Sequence, residues 1–455
     1  MRRPDAIWYK IGKMQNERVE VAVLADALEK KIVNPSDWDD PIVRVARGER
    51  PPEPSLKLVV ILTEGTRGHL NQSRGVANWL AMRTGAEVLE LEVPALKGVA
   101  RAKARKAARD LLSDGNRRQA RDWLGLADGE EVIRTLGQWL IERDIREGDA
   151  NKLILLSAGT TPAFYNIALG YIWRCTCVTI MTPSVIGTEP FDFAIVPEHD
   201  HPRDLSNTLT TIGAPNLVVR EELGAVAESL LREFPPRFDR RWGILIGGDD
   251  KNYRVSPEWV QANIGKIFQE AGRAEVDLYV TTSRRTSPEA ENAVRRLAAN
   301  SANVRFLLIA SEDPLNPVSA MLGACDEIFV TDDSVNMVSE AATAGHRAVL
   351  LRAERVGAVK RTAQNATARL ASFGLLPKRF VWGVPKFNGT FERFEKMGLL
   401  IEWPDWLKER RRNDFSPFAP LDEQTEIDRD GFNEARRAAD WILSHLEEVW
   451  HPAED

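Results

Sequence analysis

Apolar and polar positions alternate along this chain in blocks. Leu56–Thr63 (LKLVVILT) is a nearly continuous apolar run, the pattern of a strand buried on both faces of a parallel sheet. It leads into a polar loop, Glu64-Gly65-Thr66-Arg67-Gly68-His69. Asn71 then opens a helical stretch that Gly85 closes. A second strand, Glu87–Val93, follows at once. The pattern predicts helices across 98–145, a strand at Lys152–Ser157, a helix over 161–172, and strands near 175–181 and 191–196. Such alternation means right-handed βαβ units around a parallel sheet.

The plan then restarts. A bridging stretch, 216–238, ends in Phe234-Pro-Pro-Arg-Phe238. Trp242–Ile246 is again a short apolar strand, and Gly247-Gly248-Asp249-Asp250 again a glycine loop. A helix over 257–271 follows, then strands at 276–281, 304–309, 327–331 and 347–351. The expected fold is α/β, with two Rossmann-like domains facing across a cleft. Their expected extents are 55–215 and 239–430, joined by the linker 216–238. An extension over 1–54 ends in the proline-rich Arg50-Pro-Pro-Glu-Pro54 and carries no assigned chemistry. Within 431–455, Phe432, Ala435, Ala438, Ala439, Ile442 and Leu446 share one helical face, expected to return to the first domain.

Composition narrows the function classes. The chain has 455 residues, 61 Lys plus Arg and 67 Asp plus Glu, for a net charge of −6. A mildly acidic balance argues against a dedicated nucleic-acid binder. The three cysteines, Cys175, Cys177 and Cys325, are too few for a disulfide framework and lack zinc-ligand spacing, so they read as reduced, mostly buried thiols. No apolar run approaches the ~18 residues of a spanning helix, and no secretory signal stands at the start of the chain. The expected location is cytoplasmic, with peripheral contact at the inner membrane face. That contact is suggested by six Lys or Arg and no acid between Lys97 and Arg109. The plainer alternative is a solvated helix face.

Ligands of open α/β sheets bind outside the carboxyl ends of the strands, so the loops hold the candidate chemistry. Asp332, Asp333 and Ser334 follow a strand end and offer an N-cap to the helix that Gly345 stops. That helix start suits a diphosphate, and Glu340 further along suits two ribose hydroxyls. The alternative is that Asp333 and Ser334 merely cap while Glu340 is solvated. Gly247 and Gly248 permit close backbone approach, with Lys251 and Arg254 as phosphate cations. Ser283 and Arg284 stand at another strand end, where paired arginines suit phosphate. In the first half, Glu64 and His69 are candidates for general base. Glu198-His199-Asp200-His201 reads as a metal group or a hydrogen-bonded loop, without an evident third ligand motif. The glycine spacing does not match the G-x-G-x-x-G of dinucleotide-binding dehydrogenases.

LTEGTRGHLNQSRGVA, IGGDDKNYR, VTTSRRTSPE and VTDDSVNMVSEAATAG occur in that order, with FDFAIVPEHD and Pro420-Leu421 beside them. This set resembles the elongated-mitochondria fission-factor family across roughly 56–450. The resemblance implies the GT-B glycosyltransferase fold, with the donor on the second domain and the acceptor on the first. It implies Gly247, Gly248, Ser283, Arg284, Asp333, Ser334, Ser339 and Glu340 at the donor. It implies Gly65, Arg67, Gly68, His69, Asn71 and Gln72 facing the sugar and acceptor. The expected activity is metal- and cofactor-free sugar transfer from a nucleoside-diphosphate sugar to a glycolipid or envelope-polysaccharide acceptor. Two rivals are a non-catalytic membrane-associated adaptor, as plant members suggest, and a nucleotide-sugar epimerase, which shares the plan.

Overall fold

A computed structural model of the chain describes residues 56–96, 115–184, 186–357, 384–412 and 432–446, with single helical positions within 102–112 and 366–370. The extension 1–54, the Pro420-Leu421 segment and most of the basic stretch 97–109 lie outside the described residues. Of that stretch, Ala104 and Ala108 are buried and Lys106 is exposed.

The first sheet comprises β1 (Leu58–Thr63), β2 (Glu87–Glu92), β3 (Leu153–Ala158), β4 (Thr176–Ile180), β5 (Phe193–Pro197) and β6 (Thr208–Thr211), in the order β2-β1-β3-β4-β5-β6. The second comprises β7 (Arg240–Ile246), β8 (Val276–Thr282), β9 (Val304–Leu308), β10 (Glu327–Thr331), β11 (Ala348–Leu351) and β12 (Leu400–Glu402), in the order β9-β8-β7-β10-β11-β12. Every pairing in both sheets is parallel. The order reverses direction between β1 and β3 in one sheet and between β7 and β10 in the other. Such reversal points are where ligands of open α/β sheets bind.

The helices are α1 (Arg67–Thr84), α2 (Arg117–Leu126), α3 (Glu130–Glu142), α4 (Thr160–Trp173), α5 (Leu223–Glu233), α6 (Gly265–Arg273), α7 (Pro288–Ala299), α8 (Val318–Ala324), α9 (Val335–Thr343), α10 (Val384–Lys396), α11 (Trp403–Arg412) and α12 (Glu434–His445). Successive strand residues point to opposite faces, and β1 shows the result. Leu58, Val60 and Leu62 pack with Trp123 and Tyr165 on one side. Val59 and Ile61 pack with Val76 and Leu80 of α1 and with Ala438 and Ile442 of α12 on the other. The second sheet is covered likewise, by α5, α8 and α9 on one face and α6, α7 and α11 on the other. Two Rossmann-like domains with a terminal helix packed back on the first are the expected GT-B plan.

Three local expectations need correction. The helix after β1 starts at Arg67 and not at Asn71, so only Glu64–Thr66 form a loop. Its start is hard to read because the Thr66 side chain makes no capping hydrogen bond and Gly68 is a poor helix former. The bridging stretch is not plain linker: α5 lies within it, so close to α8 that a side chain on Gly323 would meet the Leu223 carbonyl at 2.4 Å. The short, polar edge strand β6 has too little apolar signal to be seen in advance. Among the described residues, no helix is long and apolar enough to cross a membrane.

Candidate active site in the interdomain cleft

On the first domain, α1 and α4 both begin beside the reversal between β1 and β3. Gly65 turns the chain out of β1 with φ +80°. Gly159 does the same after β3, with φ +89°. A Cβ on Gly159 would stand 2.6 Å from Nδ1 of His69, so this glycine makes room for the imidazole. His69 is half-buried, and its Nδ1 has no hydrogen-bond partner among the described residues. Burial pushes the imidazole below its ordinary value, with the Glu64 charge acting against it. The ring is therefore neutral near pH 7 and able to take a proton. Glu64, Thr66, Ser73 and Ala158 line the crevice around it. Arg67 is exposed at the start of α1, and Asn71 is half-buried on the same turns.

On the second domain, three loops are locked together by Asp333. Its carboxylate accepts from the Thr331 hydroxyl at 2.6 Å, from the Gly248 amide at 3.1 Å and from Arg285 at 2.7 Å. Thr331 also accepts from the Gly247 amide, and Thr286 donates to the Gly247 carbonyl. A Cβ on Gly247 would lie 1.9 Å from Asp333, and one on Gly248 would lie 2.1 Å from the Arg285 backbone. The two glycines admit neighbouring loops, and Asp333 holds those loops together. Gly247→Ala is accordingly expected to lower the melting temperature, through the ~1–3 kcal/mol cost of an overpacked site. A melting temperature equal to wild type would show that the loop has slack.

Ser283 is also occupied, its amide and hydroxyl both engaged with Thr286 in its own turn. Ser334 caps α9 by accepting from the Met337 amide at 3.4 Å. Ser339 departs from expectation. It is buried, donates to the Val335 carbonyl and accepts from the Ala214 amide at 3.0 Å, so it faces the interdomain connection. Arg284, Lys251 and Arg254 are exposed on the rim. Glu340 is half-buried, and no side-chain partner is recorded for it among the described residues. Burial alone raises its carboxyl to about 7.

The two rims meet. Gln72 of α1 donates from Nε2 to Oδ1 of Asn336 in the first turn of α9, at 3.4 Å. Nδ2 of the same asparagine lies 3.6 Å from where a Cβ on Gly68 would stand. Glu340 follows Asn336 by four residues and so shares its helix face. The connection is pinned from both sides. Asn216 donates to Thr343 of α9 at 2.9 Å, and a Cβ on Gly75 of α1 would meet the Asn216 carbonyl at 2.3 Å. At another corner, His199 packs on Phe387 of α10 with ring centroids 4.9 Å apart. The Glu198–His201 stretch therefore serves a domain contact. Among the described residues, no three His, Cys, Asp or Glu side chains gather as a metal-ligand group.

Arg285, expected with Arg284 as a pair for phosphate, is instead bonded to Asp333, and the sequence alone does not point to Asn336 and Gly159 as site residues. Gly159 had a signal, since Ala158-Gly159-Thr160-Thr161-Pro162 marks a strand-to-helix turn. Asn336 had none, because its partner is 264 positions away.

A sequence model of the family described as "Mitochondrial fission ELM1" matches residues 67–376. No curated protein matches the chain. Among solved structures, the UDP-GlcNAc 2-epimerase from Methanocaldococcus jannaschii is similar at 10% identity and TM-score 0.47, over 87% of this chain and 100% of that one. The UDP-GlcNAc 2-epimerase from Neisseria meningitidis aligns at 12% identity and TM-score 0.42, over 86% and 99%. The wall teichoic acid polymerase TagF aligns at 10% identity and TM-score 0.41, over 95% and 99%. Likeness at this level says nothing of chemistry.

Proposed function

The chain belongs to the mitochondrial fission ELM1 family, and from that premise we propose that it transfers a sugar from a nucleoside-diphosphate donor to an acceptor hydroxyl. The observation that carries this reading is the meeting of the two sheet-reversal points, one per domain, beside a half-buried carboxylate that has no side-chain partner among the described residues. The diphosphate would sit at the start of α9, where free amides and the helix dipole favour negative charge, with exposed Arg284 and Lys251 beside it. Glu340 would accept ribose hydroxyls. The acceptor approaches from the first domain, where neutral His69, or Glu64, removes its proton. The acceptor oxygen bonds the anomeric carbon as the bond to the diphosphate breaks. The charge released there is stabilised at the start of α9, so the step needs no metal. A glycolipid or envelope-polysaccharide acceptor fits the basic stretch 97–109, which would place the first domain on an anionic membrane surface.

A thermal-shift titration with nucleoside diphosphates and their sugars tests the donor site. A ligand at about 100 times its Kd stabilises by ~2.7 kcal/mol, so one nucleotide is expected to raise the melting temperature with concentration. Glu340→Ala is expected to abolish that rise. No shift with any nucleotide would favour the adaptor reading. A changed sugar formed without an acceptor would favour the epimerase.

A further inference from the structure

The connection between the domains is built as a spacer and not as a swinging linker. Its middle is tied to α9. The Ser339 hydroxyl accepts from the Ala214 amide at 3.0 Å, and the Thr343 hydroxyl accepts from Nδ2 of Asn216 at 2.9 Å. Each hydroxyl donates its own proton to a carbonyl one helical turn back, that of Val335 or Ser339, which leaves its lone pairs for the connection. Asn216 is fully engaged: Oδ1 accepts from the Val218 amide at 3.0 Å, and Nδ2 also reaches the Ala214 carbonyl at 3.3 Å. Its main chain meets α1. A Cβ on Gly75 would stand 2.3 Å from the Asn216 carbonyl oxygen, so α1 rests directly on this residue. Pro215 stiffens the chain before it. The start of α12 grips both ends, since Glu434 accepts from the Ile212 amide at 2.7 Å and Asn433 donates to the Val218 carbonyl at 3.4 Å. Ala214, Asn216, Ser339 and Thr343 are all buried, so loosening them leaves polar groups unpaired, which is costly.

His69 precedes Gly75 on α1, and Glu340 lies between the two anchored hydroxyls on α9. One residue thus stands between the helices that bring the candidate base and the candidate ribose carboxylate to the cleft. We infer that Asn216 is a positioning residue: wedged between α1 and α9, it sets their spacing and presets the cleft before any ligand binds. Its bearing on sugar transfer rests on the glycosyltransferase reading above; the spacing itself does not.

The test measures the spacing directly. Nδ2 of Asn336 lies 3.6 Å from where a Cβ on Gly68 would stand, so Gly68→Cys combined with Asn336→Cys makes a gauge across the cleft. The gauge removes the Gln72–Asn336 bond, which leaves the connection to hold the two helices together. The three native cysteines are buried. Disulfide formation with diamide is timed by gel mobility, well below the melting temperature of each variant. The gauge protein is expected to close without nucleotide, and added UDP or GDP is expected to change its rate less than about twofold. Thr343→Val keeps the branched shape and removes the acceptor for Asn216, so in the gauge protein it is expected to slow closure ~5-fold or more. Thr343→Ser keeps the hydroxyl and is expected to restore the parent rate. Gly75→Ala drives a methyl between α1 and Asn216 from the other side and is expected to slow closure as well. Equal rates with and without Thr343→Val overturn the role of Asn216. A gauge protein that fails to close, or closes only with nucleotide, overturns the preset cleft. If Thr343→Val does not fold, Gly75→Ala decides by the same criterion. Calorimetric titration of wild type with UDP and GDP keeps the two readings apart, because an absence of binding removes the nucleotide site and leaves the spacing result standing.

Discussion

At pH 8 the Glu340→Gln variant is expected to unfold at a higher temperature than wild type. The carboxyl of Glu340 is raised from 4.5 to about 7 by burial, with no opposing charge among the described residues to lower it. Ionising it in the folded state therefore costs free energy that the unfolded chain does not bear. The direction follows from proton linkage. A group with a raised folded-state value contributes fully below its unfolded value, near 4.5, and loses that contribution as pH rises through about 7. At ~1.4 kcal/mol per unit, the loss is on the order of 3 kcal/mol, somewhat less because the residue is partly exposed. Glutamine has the same shape and no proton to lose. Its advantage should be largest above pH 7, shrink between pH 7 and 4.5, and vanish below. Melting curves at pH 8 and pH 4.5 check this. An equal difference at both pH values would mean that packing, and not ionisation, separates the two proteins. The same substitution is expected to lose the nucleotide-dependent shift. A residue whose removal stabilises the fold and costs ligand binding is kept for its chemistry.

Asp333→Ala is expected to have an effect of similar size and opposite sign. The side chain is wholly buried and serves Thr331, Gly248 and Arg285 at once. Arg285 is about two-fifths exposed and can turn to water, so its loss is modest. The Gly248 amide and the Thr331 hydroxyl have no such recourse, and each costs ~1–3 kcal/mol when left without a partner. A destabilisation of ~2–4 kcal/mol follows. The glycine loop and the start of α9 should loosen together. Combination with Gly247→Ala sharpens the test, because alanine at 333 removes the atoms that a Cβ at 247 would strike. The double variant should lose less stability than the sum of the two single variants. Strict additivity would place the strain of Gly247→Ala elsewhere.

The parts of this molecule that could be read in advance are those where one stretch of chain carries its own pattern. The apolar run at β1 could only be a strand covered on both faces, and the restart at β7 repeated it. The polar positions at strand ends located the cleft but not the division of labour within it. Asp333, Gly247 and Gly248 read as a ligand loop, but the way Asp333 ties the loops together depends on Arg285, 48 positions before it. Ser339 and Glu340 are neighbours in sequence, but the helix turn between them sends one to the connection and the other to the cleft face. Such assignments depend on what packs against each side of α9, which local periodicity does not encode.

The return of α12 to the first domain has a consequence for synthesis. Asp440 of this helix pairs with Arg83 of α1, 357 positions earlier, and Trp441 packs edge-on against Phe193. During translation, the apolar face formed by Val76, Leu80, Phe193 and Ile195 therefore stays bare after its own domain has left the ribosome. From Ile195 to Asp440 the ribosome adds 440 − 195 = 245 residues, which at ~5–20 residues per second takes roughly 12 to 50 s. The domain begun first is in this way finished last, and throughout that interval its uncovered face is what a nascent-chain chaperone would meet.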